Sequence, residues 1–399
     1  MRVCFETFGC RLNRAEALQR EAQFLAAGWT TTASHAEADL VIVRGCSVTA
    51  RAQRDCERVI AHIRRKYPNK RIVVEGCLRE AKDPQPAIPS VERETDAVPV
   101  STARAYLKIQ DGCNGNCTFC IVPQFRGKST SVPFDEVMDK ARRFIDAGYR
   151  EIVVTGCNAA MYLDGGRRLP DLVSALADLG AEDRERTCRI RLGSVEPTPI
   201  ASGVVDAMAA HANICRYLHL PVQSGSSLVL SAMKRPYSIR DVESIVGKIR
   251  EKVPDAAVAC DVMTGFPGES EMDAIATESF LRRLRFSKAH VFPYSERPGT
   301  AAANMPHPVP PDIRKARAHA IAAMMDAERG RYARSFIGNT VEMVVEDERH
   351  CAGWSSQYLW CIANPDGGAN ARTSAAKRKS LAKMRVTSVS GHMLIGEIA

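Results

Sequence analysis

The stretch Ile109-Gln-Asp-Gly-Cys113-Asn-Gly-Asn-Cys117-Thr-Phe-Cys120-Ile-Val-Pro123 decides how the rest of the chain is read. It sets three thiols at C-x3-C-x2-C spacing on one tight loop. Thiolates are soft ligands suited to iron–sulfur clusters and zinc. A structural zinc or a fully ligated cluster wants four protein ligands, and no fourth Cys or His lies near the loop on either side. Three thiolates on a 4Fe–4S cube leave one iron open to chelate a small molecule, which is a catalytic arrangement. Gly112 and Gly115 let the chain wrap closely around such a group. The alternative is a zinc knuckle with a distant fourth ligand.

On the N-terminal side, residues 1–80 predict a small α/β unit. Strands are expected at Arg2–Thr7, Asp39–Arg44 and Arg71–Glu75, with helices over Arg14–Ala27 and Ala50–Lys66. This alternation predicts a parallel sheet. Each strand runs into a Gly-Cys pair: Gly9-Cys10, Gly45-Cys46 and Gly76-Cys77. Open α/β sheets bind ligands just past the carboxyl ends of their strands, so parallel strands bring Cys10, Cys46 and Cys77 to one edge. The alternative is three buried structural cysteines.

On the C-terminal side, residues 103–305 repeat a strand-then-helix rhythm. Strands are expected at Ala105–Ile109, Glu151–Thr155, Arg189–Gly193, Tyr217–Pro221, Val258–Met263 and Ala289–Pro293. Six parallel strands with helices outside make a partial, open barrel, since a closed eight-stranded one needs more chain. Sites in such barrels lie at the carboxyl ends of strands, and the Cys113 loop follows the first. Later strand ends carry Gly156-Cys157-Asn158, Ser194-Val-Glu196-Pro197, Gln223-Ser-Gly225, Asp261 to Gly268, and Phe292-Pro-Tyr294-Ser295. Ordinary strand-to-helix turn chemistry also accounts for these residues. Pro306-His-Pro-Val-Pro-Pro311 marks a boundary, and a long helix over about Asp312–Ser335 follows. The tail, 336–399, reads as short strands with turns at Asn364-Pro-Asp-Gly-Gly368 and Ser390-Gly391, which suggests a small β-barrel. Lys377, Arg378, Lys379, Lys383 and Arg385 form a basic cluster there, suited to RNA phosphates or simply a solvated loop.

The formal net charge of +9 is compatible with a nucleic-acid partner without requiring one. Fourteen cysteines with no signal-peptide pattern favour metal binding over disulfides and a reducing cytoplasm. The longest apolar runs are strand-sized, so no membrane span is expected.

The Cys113 loop resembles the radical S-adenosylmethionine (radical SAM) superfamily. That resemblance implies SAM chelated at the open iron through its amino and carboxylate groups and cleaved to a 5′-deoxyadenosyl radical. It places Phe119 beside the adenine. Gly156, Ser194, Glu196, Gln223, Asp261, Gly265 and Phe292 would line the SAM pocket, with Glu196 on a ribose hydroxyl or the amino group and Phe292 on adenine. Arg235 and Arg297 would reach SAM or a substrate phosphate, or lie on the surface.

The segments Thr7-Phe-Gly-Cys10-Arg-Leu-Asn13, Gly45-Cys46-Ser-Val-Thr49 and Glu75-Gly-Cys77-Leu78 narrow the resemblance to the methylthiotransferases. It implies a second 4Fe–4S cluster on Cys10, Cys46 and Cys77, where a methylated sulfur waits for transfer. Arg44 stands where that family usually has a small or polar residue. Cys77 and Cys113 are only 36 positions apart, so an element of the N-terminal domain is expected to be reduced. The tail resembles the RNA-binding TRAM domain. The implied organisation is an α/β protein: auxiliary-cluster domain 1–85, linker 86–102, partial (β/α)6 radical SAM barrel 103–305, bridging helix 306–335, and TRAM-like barrel 336–399.

Leu107 to Cys113, Arg191 to Pro197, His290 to Thr300 and Arg11-Leu-Asn13 look most like the branch that modifies C2 of N6-threonylcarbamoyladenosine at tRNA position 37. The implied partners are the tRNA anticodon loop and a reductant such as flavodoxin or ferredoxin, with the enzyme a monomer. The competing branches modify isopentenyladenosine in tRNA or an aspartate of ribosomal protein S12. From other classes, the alternatives are a radical SAM enzyme on a peptide and a non-catalytic metal-containing RNA-binding protein. The remaining cysteines, Cys4, Cys56, Cys157, Cys188, Cys215, Cys260, Cys351 and Cys361, show no ligand spacing.

Overall fold

The computed structural model describes residues 1–48, 50–78, 98, 101–183, 186–363 and 377–399. Most of the expected linker and the expected turn at 364–368 lie outside the described residues.

The N-terminal unit runs β1 (Arg2–Thr7), α1 (Arg11–Ala26), β2 (Thr30–Thr31), β3 (Leu40–Gly45), α2 (Ala50–Lys66) and β4 (Arg71–Gly76). The strands form a sheet in the order β2-β1-β3-β4, with every pair parallel. Successive β3 residues point to opposite faces. Leu40 and Ile42 pack with Val3, Phe24 and Trp29, and Val41 and Val43 pack with Cys4, Ile60 and Ile63. Both faces are therefore apolar and covered, as a parallel sheet requires.

The central unit runs β5 (Ala105–Asp111), α3 (Val122–Arg126), β6 (Thr130–Ser131), α4 (Phe134–Asp146), β7 (Glu151–Gly156), β8 (Leu163–Asp164), β9 (Arg167–Arg168), α5 (Leu169–Ala181), β10 (Arg189–Leu192), α6 (Pro199–Ala210), β11 (Tyr217–Gln223), α7 (Ser227–Ala232), α8 (Ile239–Lys252), β12 (Ala257–Thr264), α9 (Glu271–Arg283) and β13 (Lys288–Pro293). Strands β5, β7 and β10 pair in parallel, as do β11, β12 and β13. Parallel bridges Ile190–Ile214 and Ser194–His219 join the two halves. The result is the expected six-stranded open barrel, with short β6 antiparallel at its edge.

Helix α10 (Pro311–Arg334) packs along β13. It leads to β14 (Thr340–Asp347), β15 (Ala352–Ser355), β16 (Trp360–Ala363), β17 (Leu381–Ser390) and β18 (Met393–Ile398), which close in the order β14-β15-β16-β18-β17. Strand β15 is absent from the sequence reading, and its Gly353 does not mark a turn. Its glycine instead permits a close strand crossing: a Cβ there would lie 1.8 Å from the Val344 carbonyl oxygen. No helix among the described residues is long and apolar enough to cross a membrane.

The small barrel docks on the central one through buried charge. Arg189 donates to Glu342 O at 3.0 Å and Trp354 O at 2.5 Å, and Arg191 donates to Ser355 O at 2.7 Å. Both arginines also bind Glu151, at 2.6 and 2.7 Å. Tyr358 stacks on Trp354 and lies against Tyr217 of β11.

Candidate functional site

Parallel pairing places the ends of β1, β3 and β4 side by side, so their three cysteines meet at one edge. Cys10 caps α1, while Cys46 and Cys77 follow β3 and β4 directly. Gly9 sits at φ +93°, and a Cβ there would come within 2.6 Å of Cys46 Cβ. Only glycine lets Cys10 approach Cys46 in this way. Burial, and then the neighbouring Cys10 and Cys77, push the Cys46 thiol up to about 11. Asn13 ties the edge together by donating to Phe8 O at 2.8 Å and Gly45 O at 3.0 Å.

The second set lies on the loop between β5 and α3. Gly112 at φ +68° turns the chain where a Cβ would strike Lys128 O at 2.0 Å. The Gly115 N–H points at Cys113 Sγ, 3.3 Å away. Burial, and then the neighbouring Cys117 and Cys113, push the Cys120 thiol up to about 11. In both sets a thiolate needs compensating positive charge, which a bound metal centre supplies.

Each set also has an arginine on one sulfur. Arg235 Nη1 lies 3.0 Å from Cys117 Sγ, and Arg126 Nε lies 3.2 Å from Cys77 Sγ. Soft donors, glycine cradles and cationic groups on sulfur together suit anionic iron–sulfur clusters.

Glu196 is held at the loop set. It accepts from Arg235 at 2.6 Å and from Asn158 at 2.8 Å, and Asn158 Nδ2 is itself 4.0 Å from Cys113 Sγ. Phe119 and Phe292 share a cluster with Met233, Met263, Phe266 and Tyr294. Gln223 has φ +70° and a buried Oε1 with no hydrogen-bond partner among the described residues, an acceptor free for a ligand. Gly156 lies against Gln110, whose amide spans Asp111, Gly112 and Ser129 and fixes the loop's entry. Ser194 is exposed at its bridge to His219. Asp261 sits deeper, 3.0 Å from His219 Nε2. Gly265 is positioned differently from the rest: its open side is filled by Arg314, with a Cβ-to-Cγ approach of 2.2 Å.

Of the basic cluster, Lys383 and Arg385 are exposed on β17. Arg378 and Lys379 are turned to the junction instead. Arg378 donates to Ser101 O at 2.6 Å, and the Lys379 ammonium lies 3.7 Å from the Tyr149 ring centroid.

Sequence reasoning missed the network that joins the two cysteine sets. Arg126, three residues past Pro123, binds Cys77, Asn13 Oδ1 (2.7 Å), Glu16 (3.0 Å) and Asp111 (3.1 Å) at once. Arg44, the unexpected residue beside Cys46, pairs with Glu16 at 2.5 Å and Glu75 at 2.6 Å. Arg297 is buried and donates to Gln53 of α2.

Residues 107–281 match the model of the Radical SAM superfamily, and residues 2–98 match that of Uncharacterized protein family UPF0004. The fold is similar to that of the radical SAM methyltransferase TsrM from Kitasatospora setae, solved with cobalamin and a [4Fe-4S] cluster. The TM-score is 0.55 at 14% identity, covering 76% of this chain and 77% of that one. Fold and thiol loop thus define a radical SAM protein.

The chain is 32% identical to threonylcarbamoyladenosine tRNA methylthiotransferase MtaB of Bacillus subtilis, over 90% of this chain and 89% of that protein. It is 30% identical to the protein of that name in Chlamydia pneumoniae, over 98% and 96%. It is also 32% identical to the tRNA-2-methylthio-N(6)-dimethylallyladenosine synthase of Chlorobium limicola, over 86% of each. The chain belongs to the radical SAM tRNA methylthiotransferase family. As a member it is an enzyme that uses SAM and 4Fe–4S clusters and draws electrons from a reductant.

Proposed function

We propose that this enzyme adds a methylthio group to C2 of N6-threonylcarbamoyladenosine at position 37 of tRNA. Cys113, Cys117 and Cys120 hold the SAM-binding cluster, and Cys10, Cys46 and Cys77 hold the auxiliary one. The observation that carries the reading is the pair of three-thiol sets bridged by Arg126, in a chain aligned nearly end to end with two relatives of that name. An aromatic C–H bond offers no acidic proton, and the clusters and SAM, when bound, supply the radical and sulfur chemistry that acid–base catalysis cannot.

The chain's own residues bind and orient. Glu196, fixed by Asn158 and Arg235, offers its carboxylate to a SAM hydroxyl or amino group. Phe119 and Phe292 provide an apolar wall for adenine. A single-stranded anticodon loop can splay its base into a barrel mouth, which a duplex cannot. Lys383 and Arg385 face solvent where RNA phosphates can reach them. The reductant is a flavodoxin or ferredoxin, and the enzyme works as a cytoplasmic monomer.

The isopentenyladenosine reading stands second, because a relative named for that product is equally identical. The test is anaerobic reconstitution, iron and sulfide analysis, then incubation with SAM, dithionite and tRNA lacking the C2 group. About eight irons per chain and a methylthio gain on threonylcarbamoyladenosine are expected. Gain on isopentenyladenosine would move the branch. About four irons would remove the auxiliary site and the assignment with it.

A further inference from the structure

Outside the two cysteine sets, the described residues bring three different metal-ligating side chains together at one place. Cys4 and Glu6 stand two apart on β1, so they share a face of the strand. His35 comes from the loop between β2 and β3. Cys4 Sγ, a Glu6 carboxylate oxygen and a His35 ring nitrogen all lie within 4.8 Å of one another. Glu6 Oε1 is 2.7 Å from His35 Nε2. Cys4 is buried with Val41 of β3 and Ile60 and Ile63 of α2, whereas Glu6 and His35 are half-buried. The group therefore has a thiol at its floor and a side open to an entering ion.

The protein itself fixes the loop that carries His35. Thr32 N–H donates to Val3 O at 3.0 Å and Asp39 N–H to Arg2 O at 2.8 Å, so both ends are tied to β1. Within the loop, Ser34 N–H donates to Thr32 Oγ1 at 3.1 Å and Glu37 N–H to Ser34 O at 3.2 Å. The cations that reach this loop are engaged with other groups. Lys70 donates to Ala36 O at 3.1 Å and to Ala38 O, and Arg2 pairs with Glu37 at 2.8 Å. Among the described residues, Glu6 makes its ion pair with His35 alone. Burial and then Glu6 push the Cys4 thiol up to about 11, so a thiolate there needs added positive charge.

We propose that Cys4, Glu6 and His35 form a zinc site, separate from both iron–sulfur sets, that staples the 32–39 loop to β1. Thiolate, imidazole and carboxylate are the donors zinc takes, and three protein ligands leave the fourth position to water. The soft thiolate argues against magnesium or calcium. Tetrahedral zinc with bonds of about 2.0–2.3 Å holds its donors about 3.3–3.6 Å apart, so these atoms need move by only about 1 Å. Binding releases the Cys4 proton to solvent. Thiolate and carboxylate then balance the charge of the ion while His35 stays neutral, which suits a half-buried place. Strand β1 leads into Gly9-Cys10, so the staple steadies the strand that presents one thiol of the N-terminal set. The site needs neither SAM nor tRNA.

The test uses the full-length enzyme with its clusters reconstituted first and excess iron removed. Zinc is then titrated against a competing chelator, and zinc and iron per chain are counted by plasma mass spectrometry. Wild type should take up about one zinc per chain with no iron lost, and X-ray absorption should show one sulfur at about 2.3 Å and lighter donors at about 2.0–2.1 Å. Loss of an outer-shell partner alone costs a metal site about 10–100-fold in affinity, so Cys4→Ala, Glu6→Gln and His35→Gln, which each remove a ligand, should lose at least about tenfold. Iron per chain and the zinc-free unfolding midpoint of His35→Gln should match wild type, which separates a lost ligand from a lost fold. Zinc should raise the midpoint of wild type and not that of His35→Gln. No zinc uptake would overturn the site and leave a core thiol beside an ordinary Glu–His pair. Equal uptake by wild type and all three variants, or iron lost for each zinc gained, would put the metal elsewhere and overturn it too.

Discussion

The central barrel meets its two neighbours through arginine–carboxylate networks of similar composition and opposite surroundings. At the C-terminal junction, Glu151 lies between Arg189 and Arg191, and all three side chains are at most 2% exposed. At the N-terminal junction, Arg126 bridges Glu16 and Asp111 beside the thiols, with side chains 8%, 12% and 33% exposed. The first network meets a sulfur only at Cys215, which lies outside both cysteine sets. The second ends on Cys77, a sulfur of the N-terminal three-thiol set. The difference teaches that the same ion-pair chemistry clamps domains where it is dry and adjusts a reactive centre where it is partly wet.

The largest effect is expected at the dry junction. Glu151→Gln leaves Arg189, Arg191 and nearby Arg104 buried without their carboxylate. Breaking a buried pair in this way costs about 3–5 kcal/mol, to be read from urea unfolding at pH 7. Burial pushes Glu151 up, but Arg191 and Arg189 overcome this and hold it down at about 2. Its folded pKa is thus below the ordinary value of about 4.3. The stability it contributes is therefore present above about pH 4 and is lost as pH falls towards 2. The variant's deficit should shrink over that window. An undiminished deficit at low pH would show that packing, not charge, holds the junction.

Arg126→Gln should cost less stability, about 1–3 kcal/mol, because water reaches Asp111. Its distinguishing consequence is electronic. Donors to cluster sulfurs raise reduction potential, so with the auxiliary cluster on Cys10, Cys46 and Cys77 as proposed, loss of the Cys77 contact should lower that cluster's midpoint and leave the loop cluster's alone. Arg235→Gln should do the reverse through Cys117. Redox titration followed by electron paramagnetic resonance separates the two. Equal shifts in both clusters from either variant would dissolve the distinction between the junctions.

What the sequence made legible follows from how far each feature reaches along the chain. Cys113, Cys117 and Cys120 share one loop, so spacing alone exposed them. Cys10, Cys46 and Cys77 are distant, but strand-Gly-Cys repeats in a parallel sheet made their meeting readable. Strands β5, β7 and β10 to β13 announced themselves by apolar runs between helical patterns. Arg126, Glu16 and Asp111 come from three elements, and no periodicity records which charged side chains will face each other across a domain junction. Strand β15 stayed hidden, and its glycine serves packing rather than turning. Gly265 reads like a ligand-facing glycine, yet the space beside it belongs to Arg314 of α10, a contact set only by how that helix docks.

Glycine substitutions probe the same contrast on a smaller scale. Gly9→Ala meets both a positive φ and Cys46, so it should cost about 1–3 kcal/mol and lower iron at the auxiliary set. Gly115→Ala, where a Cβ would sit 3.2 Å from Cys113 Sγ without positive φ, should lose less. Iron per chain after reconstitution ranks them, and equal losses would mean the loop is as tightly constrained as the sheet edge.

The smallest effects are expected on β17, where charge faces solvent. Lys383→Ala or Arg385→Ala should leave the unfolding midpoint unchanged and weaken tRNA binding only a few-fold. If each side chain meets one phosphate, the slope of log affinity against log salt should flatten by about 0.7–0.9 per residue removed. Arg378→Ala belongs to the other class: it breaks the bond to Ser101 O, so it should lower the unfolding midpoint as well as any RNA affinity. Should Lys383→Ala shift the midpoint while Arg378→Ala shifts only the salt slope, the two would have exchanged roles. The RNA-facing side of the small barrel would then be the side now read as its dock.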